Sequence, residues 1–223
     1  MQTVAAFLNY RRHDLAQAMA RQLAGEAFPV YAFDNGGGLD LQSTRRVRVV
    51  RREDNLLFAR GWNWAMRYLA GVEVPKFVWM LNDDLEGVSQ TMLAILVGDF
   101  PEDAAAITPA FNSPHPVFHR RGRGLREVSW VDWCSPLVRM EAWADVGPFD
   151  SRFLGYGADL DWCKRARDRG WTFYVHDDLE VHHLGSETAL SQGLQEQQGN
   201  VALMNQALGE KWGVGDWSEM VAL

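Results

Sequence analysis

Three groups of polar residues in this chain have the types and spacing that chemistry needs. The first closes the apolar run FVWML, where LNDDL sets Asp83 beside Asp84. Adjacent carboxylates repel, and a divalent cation relieves the repulsion. Oxygen ligands suit Mg2+ or Mn2+, which can bridge to diphosphate oxygens and neutralise a leaving group. Paired acids after a strand also serve simply as turn and helix-cap residues. The second group lies in VGPFDSRFLGYGADLDWCKRARDRGW, residues 146 to 171, where glycines precede Asp159 at a predicted helix start. Asp159 and Asp161 are two residues apart, about 200° around a helix, so they cannot both face one pocket. Asp161 has Arg165 four residues on as a surface partner, which leaves Asp159 as the candidate general base. Its structural role would be a helix N-cap, where the dipole lowers the pKa and gives a weaker but reliably ionised base. The third group is EVHHLGS, with His182 and His183 at a predicted strand end. Successive strand side chains point to opposite faces, so at most one reaches a pocket, where a neutral imidazole can complete a carboxylate-bound metal site.

The elements that must position these groups read as alternating strands and helices. TVAAFLN is a buried strand, Asp14 can cap a helix through about Leu23, and FPVYAFDN is a second strand. RVRVV is a third, Asn55 can cap the amphipathic helix LLFARGWNWAMRYL, and FVWML is a fourth. Parallel strands alternating with helices predict a doubly wound sheet, whose ligands bind outside the carboxyl ends of the strands: here Asn9 to Arg11, Asp34 to Gly38 and Asn82 to Asp84. Beyond it the pattern predicts a helix near 89 to 97, a strand AAAIT, a mobile Pro/Gly/Arg-rich loop over 109 to 126 and an apolar strand around Val128 to Val138. A helix over Asp159 to Arg169, strands WTFYV and LEVHH, and a mostly helical tail from 187 complete it.

Composition bounds the answer. The chain has 223 residues, of which 47% are hydrophobic, enough for one domain over 1–223 with a continuous core. No apolar run approaches the ~18 residues that span a bilayer, and the start lacks the order of a secretory signal, so a cytoplasmic protein is expected. Cys134 and Cys163 have no metal-ligand spacing and read as reduced, packed thiols. A net charge of -7 argues against non-specific coating of nucleic acid. Most of the ten tryptophans read as core, although aromatic faces also hold the C–H faces of sugars.

Taken in order, these motifs resemble the inverting nucleotide-sugar glycosyltransferases of the family 2 type, roughly from Val4 to Ser186. The resemblance implies an α/β chain with the Rossmann-like GT-A fold, a central, mostly parallel sheet flanked by helices. Its nucleotide-binding half would be about 1–100 and its acceptor-binding half about 101–223. Asn9, Tyr10 and Arg11 look like that family's first nucleotide-binding loop, and FDNGG like its second, where Asp34 would read the base. NLLFARGWNWA is similar to its N-x-G-x-A-R-G-x-N-x-A pattern, which would lay Arg60 against the nucleotide. LNDDL resembles its D-x-D region, with Asp83 toward the ribose, Asp84 on the metal and Asn82 where an acid is common. The 146–166 stretch resembles the acceptor-side segment ending in E-D-x-D-x-x-x-R, and Asp159 matches its catalytic base. VHHLGS is similar to the terminal metal-binding segment, and alignment favours His182 over His183. Ala158 stands where the glutamate preceding the base is usual, so that residue's role is missing or supplied elsewhere.

The implied reaction is a single displacement: Asp159 takes a proton from an acceptor hydroxyl while that oxygen attacks the anomeric carbon, and Mn2+ or Mg2+ held by Asp84 and His182 stabilises the departing diphosphate. The resemblance favours a UDP-sugar donor. Nine arginines fall in RRVRVVRR, residues 45 to 52, and HRRGRGLR, residues 119 to 126. The first alternates as a solvated strand face. The second could close over the donor diphosphate or bind an anionic acceptor, such as a phospholipid headgroup, a glycan or lipid-linked glycan, a teichoic-type polymer or a modified nucleic acid. A catalytically inert nucleotide-sugar or glycan-binding protein is the alternative that Ala158 favours. A nucleotidyltransferase would carry a glycine-rich, lysine-containing loop after its first strand, and NYRRHDL is not one.

Overall fold

The structure is a computed structural model that describes residues 2–153, 155–185 and 194–222. The apolar runs of the first half become β1 (Thr3–Asn9), β2 (Val30–Asn35), β3 (Val47–Arg52) and β4 (Phe77–Asn82). β1, β2 and β4 are buried almost throughout, as strands covered by helices on both faces must be. The covering helices of this half are α1 (His13–Gln22), α2 (Leu57–Val72) and α3 (Gln90–Gly98). A short β5 (Leu85–Glu86) follows β4, and the second half adds β6 (Ala104–Phe111), β7 (Leu125–Val128), β8 (Leu137–Arg139) and β9 (Thr172–His183). Helices α4 (Met140–Val146), α5 (Ala158–Arg167), α6 (Leu194–Trp212) and α7 (Trp217–Ala222) complete the described chain. The nine strands run in the order β3-β2-β1-β4-β8-β6-β9-β5, with β7 also on β9. Pairing is parallel from β3 to β4 and mixed beyond, where β8 inserts antiparallel between β4 and β6.

Local chemistry decides where elements begin. α2 approaches the sheet closely because Gly61 has no side chain: a Cβ there would stand 2.9 Å from Leu8 and 3.0 Å from the amide nitrogen of Asn35. The helix starts at Leu57 with Leu56, not the expected Asn55, in the N-cap position; Asn55 instead accepts through Oδ1 from the Leu57 amide at 2.8 Å and from Asn35 at 3.1 Å in the turn before it. Asp14 lies inside the first turn of α1, bonded to Arg12, and does not cap it. The edge strand β3 turns Arg48 outward and Val47 inward, a charged edge that discourages pairing with another chain. Trp62, Trp79, Trp133 and Trp162 are fully buried, and truncating any of them to Ala would cost about 3–5 kcal/mol.

Three expected elements differ. The stretch 109–126 is not one loop, since β6 runs on through Phe111, a 3-10 turn forms over Pro116–Phe118 and β7 starts at Leu125. The apolar run from Val128 to Val138 forms no single strand: β7 ends at Val128, β8 begins at Leu137, and residues 129–136 are irregular. Pro136 has no amide hydrogen to donate to a ladder, although its carbonyl still accepts from Met80 at 2.9 Å, and that of Cys134 from Asn82 at 2.8 Å. WTFYV and LEVHH instead join in one strand, β9, interrupted by a bulge where its register against β6 jumps from Pro109↔His176 to Ala110↔Glu180. Of the predicted tail helix, residues 187–193 lie outside the described residues, as does Ser186.

Candidate active site

β1 and β2 end side by side, with Asn9 opposite Asp34 in register and both fully buried. Asn9 donates through Nδ2 to the Arg12 carbonyl at 2.8 Å and to Asp83, while its Oδ1 has no partner among the described residues. Asp34 accepts from the Leu39 amide at 3.0 Å through Oδ2, and its Oδ1 is also unpaired. Two buried, unpaired acceptors on adjacent strand ends are costly unless a ligand donates to them. The Tyr10 ring lies on Gly36, where a Cβ would come within 2.5 Å of it, and the Arg11 guanidinium stands 5.3 Å from the Tyr10 centroid. Burial pushes Asp83 up to about 7; the Asn9 hydrogen bond opposes this and the charge of Asp84 adds to it.

Asp84 turns the other way. Its Oδ1 is 3.0 Å from Nε2 of His183, not His182. The antiparallel register of β5 on β9 explains the difference: Leu85 pairs with His183 and Glu86 with His182, and alternation sends the exposed His182 away from Asp84. Asn112 grips the His183 backbone from both sides, donating to its carbonyl at 2.9 Å and accepting from its amide at 2.6 Å. Burial pulls the pKa of His183 down, but the hydrogen bond and charge of Asp84 outweigh it and the net direction is up. Among the described residues no group of three or more His, Cys, Asp or Glu forms a metal cage. A carboxylate and an imidazole in contact nevertheless fit an ion that takes its other ligands from phosphate and water.

Beyond His183 opens a cavity of about 440 Å³, floored by Asp132, Asp159 and His183 and walled by Trp130, Tyr156 and Trp217. Asp159 sits in the first turn of α5, but the N-cap is Gly157, at φ 88°. Its Oδ1 accepts from the Leu160 amide at 2.9 Å. Burial, followed by the charge of Asp132, pushes its pKa up to about 7, reversing the direction expected from the helix dipole alone. Asp161 is no surface residue either. It is fully buried, held by Arg165 at 2.9 Å, Lys211 at 2.6 Å and the Trp212 indole at 3.0 Å. Asp132 is the residue that sequence reasoning missed: it lies in the irregular 129–136 segment, and its only signal was a lone acid in the run WVDWC. Arg60 is exposed on α2 and lines a neighbouring cavity of about 500 Å³ with Asp150 and Arg152, apart from Asp34. The arginines of 119–126 do not line the 440 Å³ cavity. Arg126 pairs with Asp177 at 3.1 Å and the Gly124 amide donates to Asp178 at 2.8 Å, tying that loop to the bulge of β9.

No family model matches the chain. An uncharacterised protein of Mycobacterium tuberculosis is 28% identical over 194 residues, 81% of this chain and 73% of the relative. The N-acetylglucosaminyl-diphospho-decaprenol L-rhamnosyltransferase of the same organism is 36% identical over 64 residues, 28% of this chain and 21% of that enzyme. Among solved structures, the Pyrobaculum calidifontis mannosyltransferase PcManGT in complex with GDP-Man and Mn2+ superposes with a TM-score of 0.66 at 13% identity, covering 93% of this chain and 64% of that one. GalNAc-T7 with UDP, GalNAc and Mn2+ gives 0.64 at 7% identity over 82% of this chain, which spans 44% of its length. S. aureus TarS, residues 1–349, gives 0.60 at 11% identity, covering 96% and 72%. These superpositions show that the chain has the GT-A fold of the glycosyltransferases.

Proposed function

We propose that this protein is a metal-dependent, inverting glycosyltransferase that moves a sugar from a nucleotide diphosphate donor onto an acceptor hydroxyl. The observation that carries it is the pairing of a base with a leaving-group site: Asp159, with its pKa near 7, shares one cavity with His183, which contacts Asp84. The nucleoside packs at the ends of β1 and β2, where the unpaired oxygens of Asn9 and Asp34 accept hydrogen bonds from it and Tyr10 and Arg11 flank it. Asp83 faces the ribose, and Arg60 approaches the donor from α2. Asp159 takes the proton of the attacking hydroxyl as its oxygen bonds to the anomeric carbon; the bond to diphosphate breaks on the opposite side, inverting the centre. Asp84 and His183 would hold Mn2+ or Mg2+, which supplies charge neutralisation for the diphosphate. GalNAc-T7 with UDP and Mn2+ and PcManGT with GDP-Man and Mn2+ support a nucleotide-sugar donor and a divalent ion; resemblance favours a UDP-sugar. A lipid-linked glycan is one acceptor class, in line with the name of the mycobacterial rhamnosyltransferase.

The test is release of nucleoside diphosphate from UDP-, dTDP- and GDP-sugars with Mn2+ or EDTA, for the wild type and Asp84→Ala. Metal-dependent release from one donor, falling about 100-fold or more in the variant, is expected. Silence across the panel, without any donor-induced thermal shift, would instead support an inert protein. That second reading has one observation behind it, the buried Ala158 where the pattern carries an acid.

A further inference from the structure

Ala158 is 1% exposed and brings no carboxylate to the start of α5, yet the cavity holds a second one from another element. We infer that Asp132, with Asp159, forms an acceptor subsite for a pyranose that offers two neighbouring hydroxyls, with Trp130 and Trp217 in its lining. This assignment rests on the glycosyltransferase function proposed above and names the class of its acceptor.

Three features point to a neutral, hydroxyl-rich ring. First, among the described residues no lysine or arginine lines the cavity, whose only basic groups are the imidazoles of His115 and His183, whereas Asp161, two residues from Asp159, has Arg165 and Lys211. Two carboxylates lining a cavity without lysine or arginine are satisfied by hydroxyl donors from a ligand, and an anionic group would be repelled. Second, the segment that carries Asp132 is anchored: the Cys134 carbonyl accepts from the Asn82 amide at 2.8 Å, beside the end of β4. Third, His115 packs edge-on between Trp130 and Trp217, with centroids at 5.4 Å and 5.0 Å, so that two indoles from distant parts of the chain wall one cavity. Aromatic faces pack well on the C–H faces of pyranoses, and about 440 Å³ is within the usual range of small-ligand sites. In the reaction the attacking hydroxyl gives its proton to Asp159, its oxygen bonds to the anomeric carbon, and the diphosphate oxygen leaves with the electron pair. Asp132 accepts a hydrogen bond from the neighbouring hydroxyl and exchanges no proton.

The experiment offers wild type, Asp132→Ala and Asp132→Asn the donor found by the release assay and a panel of methyl pyranosides (glucoside, galactoside, mannoside, N-acetylglucosaminide), with mass-spectrometric detection of product. Transfer to at least one pyranoside is expected. Asp132→Ala should raise its KM by about 10- to 100-fold, with a smaller fall in kcat, because a buried acceptor hydroxyl is left without its partner. Asp132→Asn, isosteric and still an acceptor, should recover part of that loss. A pyranoside lacking the neighbouring hydroxyl should bind wild type and Asp132→Ala alike. An unchanged KM, a loss confined to kcat, or a wild type that hydrolyses donor but glycosylates no pyranoside would overturn the assignment. A wild type that hydrolyses no donor would instead remove the transferase function, and the assignment with it.

Discussion

A carboxylate serves as general base at neutral pH only if its pKa lies near that pH, and it then exacts a cost in stability. Asp159 meets the condition through burial and the nearby charge of Asp132, which move it from 3.8 to about 7. Between those two values the folded state keeps a proton that the unfolded state has released, so stability falls as pH rises from about 4 to 7 and stays low above. Two results should follow together. Asp159→Asn should lower transfer by about 10²- to 10⁴-fold, and the wild-type rate should rise with pH through about 7. The same substitution should raise the Tm at pH 8, with the gain shrinking toward pH 5, where the wild-type carboxyl is already protonated. A thermal-unfolding series at the two pH values, beside the rate profile, checks both; a Tm gain equal at pH 5 and pH 8 would show that burial charge is not what Asp159 carries.

At the scale of elements, the base is aimed by the turn into α5. Gly157 adopts φ 88°, and a Cβ on it would meet Met204 of α6 at 2.7 Å and Phe153 at 3.1 Å. Gly124 is also left-handed, at φ 68°, but has open space around it. Gly124→Ala should therefore lose only the backbone preference, about 1 kcal/mol, whereas Gly157→Ala adds a clash and should lose about 2–4 kcal/mol along with donor turnover; denaturant midpoints and the release assay separate them. Legibility followed the same division. The buried strands β1, β2 and β4 could be read from unbroken apolar runs, and the polar residues at their ends followed from a general rule of parallel sheets. The 129–136 segment could not, because its aromatic and apolar residues satisfy a strand pattern while Pro136 and the backbone bonds to β4 set its actual path. Asp132 was hidden with it. Whether His182 or His183 meets Asp84 depends on the register of β5 on β9, a pairing about 100 residues apart that no local pattern encodes.

For the molecule as a whole, the cavity is shared between distant parts of the sequence, and its closure depends on how α6 and α7 dock. β4 and the 129–136 segment bring Asn82, Trp130 and Asp132, α5 brings Asp159, and the C-terminal helices return to add Met204 and Trp217. What fastens α6 is Lys211, which reaches Asp161 at 2.6 Å and Asp150 at 2.8 Å, while the neighbouring Trp212 donates to Asp161. Asp161 is fully enclosed, so removing a cation from it leaves a charge short of compensation, although Arg165 remains. Lys211→Met should cost about 1–3 kcal/mol, and Asp161→Asn combined with it should cost less than the two singles added, because the buried charge that Lys211 compensates is then gone as well. Since α6 leads through a short turn into α7, whose first residue is Trp217, loosening it should also raise the acceptor KM more than the donor KM. A denaturation cycle over the four proteins, with KM for both substrates in Lys211→Met, would decide it. Additive costs with an unchanged acceptor KM would mean that the C-terminal helices merely cover the core, and coupling with a raised acceptor KM would mean that they shape the acceptor site.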